Sequence, residues 1–168
     1  MQQLLETREL TVELPTAQGW VRPVNQVSLR IDAGECVGLV GESGSGKTML
    51  SLALMGLLPV GARVSGQARL ASAAAKNLVT QTEDEWRVVR GQEIAMIFQE
   101  PMTSLNPVMR VGTQIEEGIR AHQPKLANPE VRTRAIAAMR QASLGEPERR
   151  AQTDLSVRNA SARADGSI

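Results

Sequence analysis

The 168-residue chain contains little of what marks several protein classes. It has a single cysteine, Cys36, so an internal disulfide is excluded, and we expect a packed core thiol in a reducing compartment. Aromatic residues make up only 2% of the chain, which leaves few large side chains for a core. A net charge of +1 with 22% charged residues gives no electrostatic case for nucleic acid. The start of the chain lacks the pattern of a signal peptide, so we expect a cytoplasmic protein.

A glycine-rich octapeptide, GESGSGKT at residues 41–48, fits the phosphate-loop pattern G-x-x-x-x-G-K-[ST]. Glycines allow tight turns and close backbone approach to phosphate oxygens, and consecutive N–H groups form an electropositive nest. Lys47 is predicted to reach the β- and γ-phosphates, and the Thr48 hydroxyl to join a Mg²⁺ shell. The predicted cofactor-binding residues are Gly41, Glu42, Ser43, Gly44, Ser45, Gly46, Lys47 and Thr48. The alternative is a glycine- and serine-rich surface loop.

The flanking sequence favours the phosphate loop over the surface loop. The apolar run at residues 36–40 predicts a buried parallel strand. Residues 49–58 after the loop predict a buried helix that Pro59 stops. Strand, loop and helix therefore follow one another in the order that the motif requires.

The rest of the chain alternates between strand and helix patterns. Further strands are predicted at residues 10–14, 24–31, 64–70 and 94–98. A capping box at Thr82 opens a short helix that Gly91 ends. Helices are also predicted at 111–122 and 129–143, the second with Asn128 as N-cap. Its apolar face, which we interpret as core packing, consists of Val131, Ala135, Ala138, Met139 and Ala142.

Three segments together resemble one family, the ATP-binding subunits of ABC transporters. They are the phosphate loop, MIFQEPMTSLNP at 96–107 and PERR at 147–150. The second segment is similar to the branch that imports dipeptides, oligopeptides, glutathione or nickel. The resemblance implies an α/β fold of the P-loop NTPase type, with an antiparallel β subdomain and a partial helical subdomain. Residues 1–150 would form the front of this nucleotide-binding domain, and 151–168 a disordered tail outside the family pattern.

The resemblance also implies cofactors, partners and a location. ATP and Mg²⁺ would be bound, and Gln99 would approach Mg²⁺ and the attacking water as a catalytic residue. The partners would be transmembrane permease subunits and a second ATP-binding subunit, with the chain peripheral on the inner face of the cell membrane. An alternative reading of Gln99 is a polar residue at a strand end. The family stacks adenine on an aromatic residue; Leu14 stands at that position here, and Trp20 lies nearby.

Three parts of the family pattern are absent from this sequence. It has no complete LSGGQ-type signature, no later apolar strand ending in Asp-Glu, and no histidine after His122. Because phosphoryl transfer depends on such groups, we expect weak nucleotide binding and little hydrolysis. Two alternatives stay open: a non-catalytic fragment or pseudogene product, and another P-loop NTPase, although the guanine-reading Asn-Lys-x-Asp is absent.

The last residues suggest a frameshift. Leu155 and Ser156 begin the signature, and Val157 departs from it. One T inserted into GGC GGA ATG gives GTG CGG AAT, which encodes residues 157–159, and the restored text would read LSGGMRQR. A natural polar tail is the alternative. Sequencing the gene beyond these codons is expected to show a shifted frame that encodes an apolar strand ending in Asp-Glu and then a histidine. A frame without them would mean that the short form is genuine.

Overall fold

A computed structural model of the chain describes residues 2–71, 77–99 and 105–152. The chain forms two compact units, Met1–Met96 and Ile97–Ile168. The predicted tail at 151–168 lies outside the described residues except for its first two positions. In the part of the chain that is described, no helix is long and apolar enough to cross a membrane.

The first unit is built on a three-stranded antiparallel sheet with the order β2-β1-β3. The strands are β1 (Gln3–Thr16), β2 (Gly19–Asp32) and β3 (Arg63–Leu70). The strands predicted at 10–14, 24–31 and 64–70 are confirmed, and β1 and β2 extend well beyond their predicted bounds. Alternation along the strands buries one face of the sheet.

A threonine hydroxyl bonds backbone groups of β2 where the pairing of β1 with β2 shifts register after Thr7. The Thr7 side chain is 1% exposed. Its Oγ1 donates to the Val27 carbonyl at 3.0 Å and accepts from the Leu29 N–H at 3.0 Å. Both backbone groups are thereby satisfied inside the sheet, where an unpaired group would destabilise the fold.

Two helices pack against this sheet. They are α1 (Lys47–Leu54) and α2 (Glu83–Val89), with a 3-10 turn at Leu78–Thr80 between β3 and α2. The capping box predicted at Thr82 is confirmed, with Glu85 as its reciprocal partner. The prediction that Pro59 stops the first helix is wrong, because α1 ends at Leu54. The buried core residues are Leu5, Leu10, Val12, Val24, Leu50, Ala68, Leu78, Trp86 and Val89.

Two predicted parallel strands are not formed, which corrects the sequence prediction. Residues 36–40 and 95–98 have no regular secondary structure, and Ile94 makes only an isolated bridge to Arg90. Val40 is 93% exposed, and Cys36 is exposed rather than a packed core thiol. A parallel strand needs hydrogen-bonded neighbours, and residues 36–40 form no ladder with the part of the chain described. Apolar composition alone therefore did not produce a strand.

The second unit is helical in its described residues. Its helices are α3 (Val111–His122), α4 (Asn128–Gln141) and α5 (Pro147–Arg150). The prediction that Asn128 is the N-cap of α4 is wrong by one residue, because Ala127 is the N-cap and its carbonyl accepts the N–H of Val131 at 3.1 Å.

The apolar face predicted for α4 is confirmed in its central part. Val131, Ala135 and Met139 are buried, as their spacing of four residues predicts. Ala138 and Ala142 are exposed, because they lie outside that line of contacts.

Replacing Thr7 with valine tests the hydroxyl bridge between β1 and β2. Thr7→Val keeps the side-chain shape but removes one hydrogen bond from the Val27 carbonyl and one from the Leu29 N–H, so the free energy of unfolding should fall by about 1–3 kcal/mol. The control is Thr113→Val on the exposed surface of α3, which should change it by less than about 0.5 kcal/mol. Urea denaturation of the intact chain measures both. Equal losses in the two variants would contradict a structural role for the Thr7 hydroxyl.

Candidate phosphate-binding site

The predicted phosphate loop lies between the irregular segment at 36–40 and the N-terminus of α1. The Ser45 N–H donates to the Glu42 carbonyl at 3.2 Å, which closes a turn. Gly44 has φ +82° and Gly46 has φ +90°, a region that residues with a side chain rarely adopt. The chain enters α1 directly from Gly46, whose carbonyl accepts the Leu50 N–H at 2.9 Å.

Gly46 packs against the backbone of β2. A Cβ atom built on Gly46 would lie 1.9 Å from the Pro23 carbonyl oxygen and 2.9 Å from its carbon. No side-chain movement relieves this overlap, because the obstructing atoms belong to the backbone. The requirement for glycine at this position therefore has two separate causes, the left-handed φ and the contact with β2.

The Lys47 ammonium is held within the loop by three acceptors. Its Nζ donates to the Gly41 carbonyl at 2.7 Å, to the Glu42 carbonyl at 2.6 Å and to Ser45 Oγ at 3.1 Å. An ammonium group has three donor hydrogens, so this arrangement uses all of them. The positive charge is thereby fixed against the same turn whose N–H groups form the predicted nest.

The N-terminus of α1 favours a negatively charged ligand. The first N–H groups of a helix have no intrahelical partner and carry partial positive charge. The first turn of α1 contains no acidic residue that would neutralise it, and Gly46 provides no side-chain cap. Thr48 lies exposed in this turn. Backbone dipole and lysine charge therefore act in the same direction, toward an anion such as phosphate.

A cleft of about 360 Å³ opens beside the loop, within the volume range of small-molecule sites. Its walls come from β2, from the end of the segment at 36–40, from the loop and from α1. The lining residues are Pro23, Val24, Asn25, Val27, Leu39, Val40, Gly41, Ser45, Gly46, Lys47 and Leu50. The contribution of β2 was not predicted from the sequence, because no local signal marks a strand that meets the loop only through tertiary packing.

Gln99 belongs to the second unit, whereas the loop belongs to the first. Gln99 is exposed and lies in a bend rather than at the end of a strand. Its assigned catalytic and Mg²⁺-binding roles stay predictions.

The two residues considered for adenine stacking have other contacts. Leu14 is partly buried and packs on the core cluster of the sheet. Trp20 stands opposite Pro15 in the β1–β2 ladder, and the Arg63 guanidinium lies 3.9 Å from the centre of its ring. Neither Leu14 nor Trp20 is among the residues that line the cleft.

Comparisons with known proteins agree on one family. The family model described as ABC transporter matches residues 24–161. The chain is 43% identical over 135 residues to the "Probable D,D-dipeptide transport ATP-binding protein DdpD" of Escherichia coli (strain K12), covering 80% of this chain and 40% of the relative. It is 46% identical over 120 residues to the oligopeptide transport ATP-binding protein OppD of Salmonella typhimurium, covering 71% and 35%. The chain thus spans less than half the length of these relatives.

A solved structure shares the fold. A dimeric ATP-binding cassette in a post-hydrolysis state, bound to ADP and Pi, superposes with a TM-score of 0.69 at 24% identity. The match covers 90% of this chain and 61% of that cassette. The predicted fold class, an α/β cassette of the P-loop type with an antiparallel sheet, is therefore confirmed.

Replacing Gly46 with alanine tests the contact between the loop and β2. Gly46→Ala should lower the free energy of unfolding by about 1–3 kcal/mol, because it adds backbone strain and overlaps the Pro23 carbonyl. The control is Gly118→Ala in α3, where a Cβ would meet nothing within 4 Å and helix propensity should add up to about 1 kcal/mol. Chemical denaturation measures both variants. A Gly46→Ala chain as stable as its parent would contradict the close approach.

Proposed function

The chain belongs to the ABC transporter family, and we propose that it binds Mg-ATP through the loop at residues 41–48. The observation that carries this proposal is the Lys47 ammonium, held by loop oxygens at the positive end of α1. The ammonium, the loop N–H groups and the helix dipole all favour the triphosphate.

Three parts of the loop have separate roles in this proposal: the backbone N–H groups, Lys47 and Thr48. The N–H groups of residue 44 and of residues 46–48 would donate to phosphate oxygens, with the glycines leaving the backbone accessible. Lys47 would neutralise charge on the β- and γ-phosphates by turning from the loop carbonyls to the phosphate oxygens. The Thr48 hydroxyl would contact Mg²⁺, which supplies charge neutralisation and orients the phosphates. The donors present, a hydroxyl beside a cationic loop, fit a metal that is held mostly by phosphate and water oxygens.

The wider function that we propose is ATP hydrolysis coupled to peptide import. The relatives with the highest similarity reported above carry names that refer to dipeptide and oligopeptide transport. This favours peptides over nickel as the cargo class. In such a system the chain would act as an ABC-type ATPase with a second ATP-binding subunit and with permease subunits, on the inner face of the membrane. Gln99 would then act at the Mg²⁺ and the attacking water.

A binding-only role is the second candidate function. It is favoured by the residues after Leu155 and Ser156, which depart from the LSGGQ-type signature from Val157 onward. The family match, in contrast, argues against an unrelated P-loop kinase or GTPase. Binding and turnover are separate measurements, and only binding is needed for the proposal about the loop.

Removing the Lys47 charge tests the proposal. The parent chain should bind Mg-ATP weakly, and Lys47→Ala should lower the affinity by at least about tenfold, because a charge-assisted contact to phosphate is lost. Lys125→Ala, at an exposed position between α3 and α4, is the matched control and should leave the affinity unchanged. Isothermal titration calorimetry measures all three chains. Equal affinity in the parent and Lys47→Ala would contradict the proposed site, as would a parent chain that does not bind.

A further inference from the structure

The C-terminal end of α1 is held by one side chain from outside the helix. Arg90, the residue after α2, donates from Nε to the Met55 carbonyl at 2.8 Å and from Nη2 to the Gly56 carbonyl at 2.8 Å. These carbonyls follow the last turn of α1, where backbone acceptors have no intrahelical partner. A guanidinium fork suits this task because it presents several donors in one plane.

The Arg90 guanidinium is itself fixed by α2. Its Nη1 donates to Glu83 Oε1 at 2.7 Å, at the start of the helix. The same guanidinium lies 5.1 Å from the centre of the Trp86 ring, which is buried. The Arg90 guanidinium therefore donates hydrogen bonds from all three of its nitrogens, and it also lies against an aromatic ring. Such a group holds one position, unlike a solvated arginine.

The end of α1 also packs directly on the Trp86 indole. A Cβ built on Gly56 would lie 2.3 Å from an indole carbon. Gly56 has φ +62°, and the Leu57 N–H donates back to the Leu52 carbonyl at 2.9 Å, which is the pattern of a glycine C-cap. Backbone, indole and guanidinium thus leave the end of the helix little room to shift.

The other end of the same helix forms the phosphate loop. α1 is eight residues long, which corresponds to about 12 Å, so a displacement of one end moves the other. Its N-terminal end contacts the Pro23 carbonyl through Gly46. The structure therefore holds α1 at both ends, by β2 at the loop and by α2 at the far end.

We propose that Arg90 is a positioning residue for nucleotide binding, acting through α1 on the placement of the loop N–H groups and Lys47. The inference rests on the proposed function, because it concerns the affinity of the same site. Its positive charge also complements the negative end of the α1 dipole, which stabilises the helix whose other end meets phosphate. Arg90 makes no contact with the loop itself among the hydrogen bonds described above.

Arg90→Lys is the variant that tests this proposal. Lysine keeps the charge but has no planar fork, so it cannot bond Met55, Gly56 and Glu83 together. The affinity for Mg-ATP, measured by calorimetry at a temperature where the chains are folded, should fall by about tenfold. Arg87→Lys, at an exposed position on α2 with a surface ion pair to Asp84, is the control and should bind as the parent does.

A nucleotide-free measurement separates this proposal from the proposed function. Hydrogen exchange in residues 47–58 should be faster in Arg90→Lys than in the parent, and unchanged in Arg87→Lys. Glu83→Ala, at an exposed side chain, provides a milder variant that keeps the fold and should weaken Mg-ATP binding by about twofold to fivefold.

Three outcomes decide between the two claims. Equal affinity in Arg90→Lys, Glu83→Ala and the parent overturns the positioning role, even if thermal stability falls, because a purely structural contact would alter stability alone. A parent chain that binds no Mg-ATP overturns the proposed function and this role together. Weaker binding in Arg90→Lys with faster exchange in α1 supports the proposal.

Discussion

The contact between Gly46 and the Pro23 carbonyl is the constraint on which the site depends. It brings the antiparallel sheet against the first residue before α1, at a distance that only glycine allows. The loop at 41–46 and the cleft beside it take their shape from this contact, since β2 supplies one wall of the cleft. The geometry of the predicted phosphate loop therefore depends on tertiary contacts within the first unit, although its sequence motif is local.

Helix α1, which follows the loop, connects the Gly46–Pro23 contact to α2. α1 begins at the β2 contact and ends on the indole of Trp86 beneath the Arg90 guanidinium. A short helix fixed at both ends keeps the loop N–H groups and the backbone of Lys47 in one arrangement. Pre-organisation of this kind lowers the entropy cost of binding. Trp86 and Arg90, which lie at the opposite end of α1 from the loop, therefore contribute to the geometry of the site.

The sequence correctly predicted features that depend on interactions between residues close together in the chain. The capping box at Thr82 and the strands predicted at 10–14, 24–31 and 64–70 depend on turn chemistry and short-range alternation, which are visible in the residue order. The bounds of α3 agree with the prediction at both ends. The end of α1 was predicted at Pro59, but the helix ends earlier. Gly56, which has a left-handed φ, turns the chain away before Pro59.

The predictions from sequence were wrong where the structure of a segment depends on its tertiary neighbours. Residues 36–40 have the composition of a buried strand, yet Val40 is 93% exposed, because no described residue pairs with the segment. The packing of Cys36 was mispredicted for the same reason. No local sequence pattern predicts that Asn25 lines the cleft. None predicts the hydrogen bonds from Arg90 to the carbonyls that follow α1. Both arise from contacts between elements that are distant along the chain.

The central claim is that Mg-ATP binds at the loop of the first unit. Its most direct test is hydrogen exchange of the intact chain with and without Mg-ATP, resolved by peptide. We expect slower exchange concentrated in residues 41–50, where N–H groups would meet phosphate, and little change in α3 and α4. Protection confined to other parts of the chain, with none in residues 41–50 at saturating nucleotide, would contradict it.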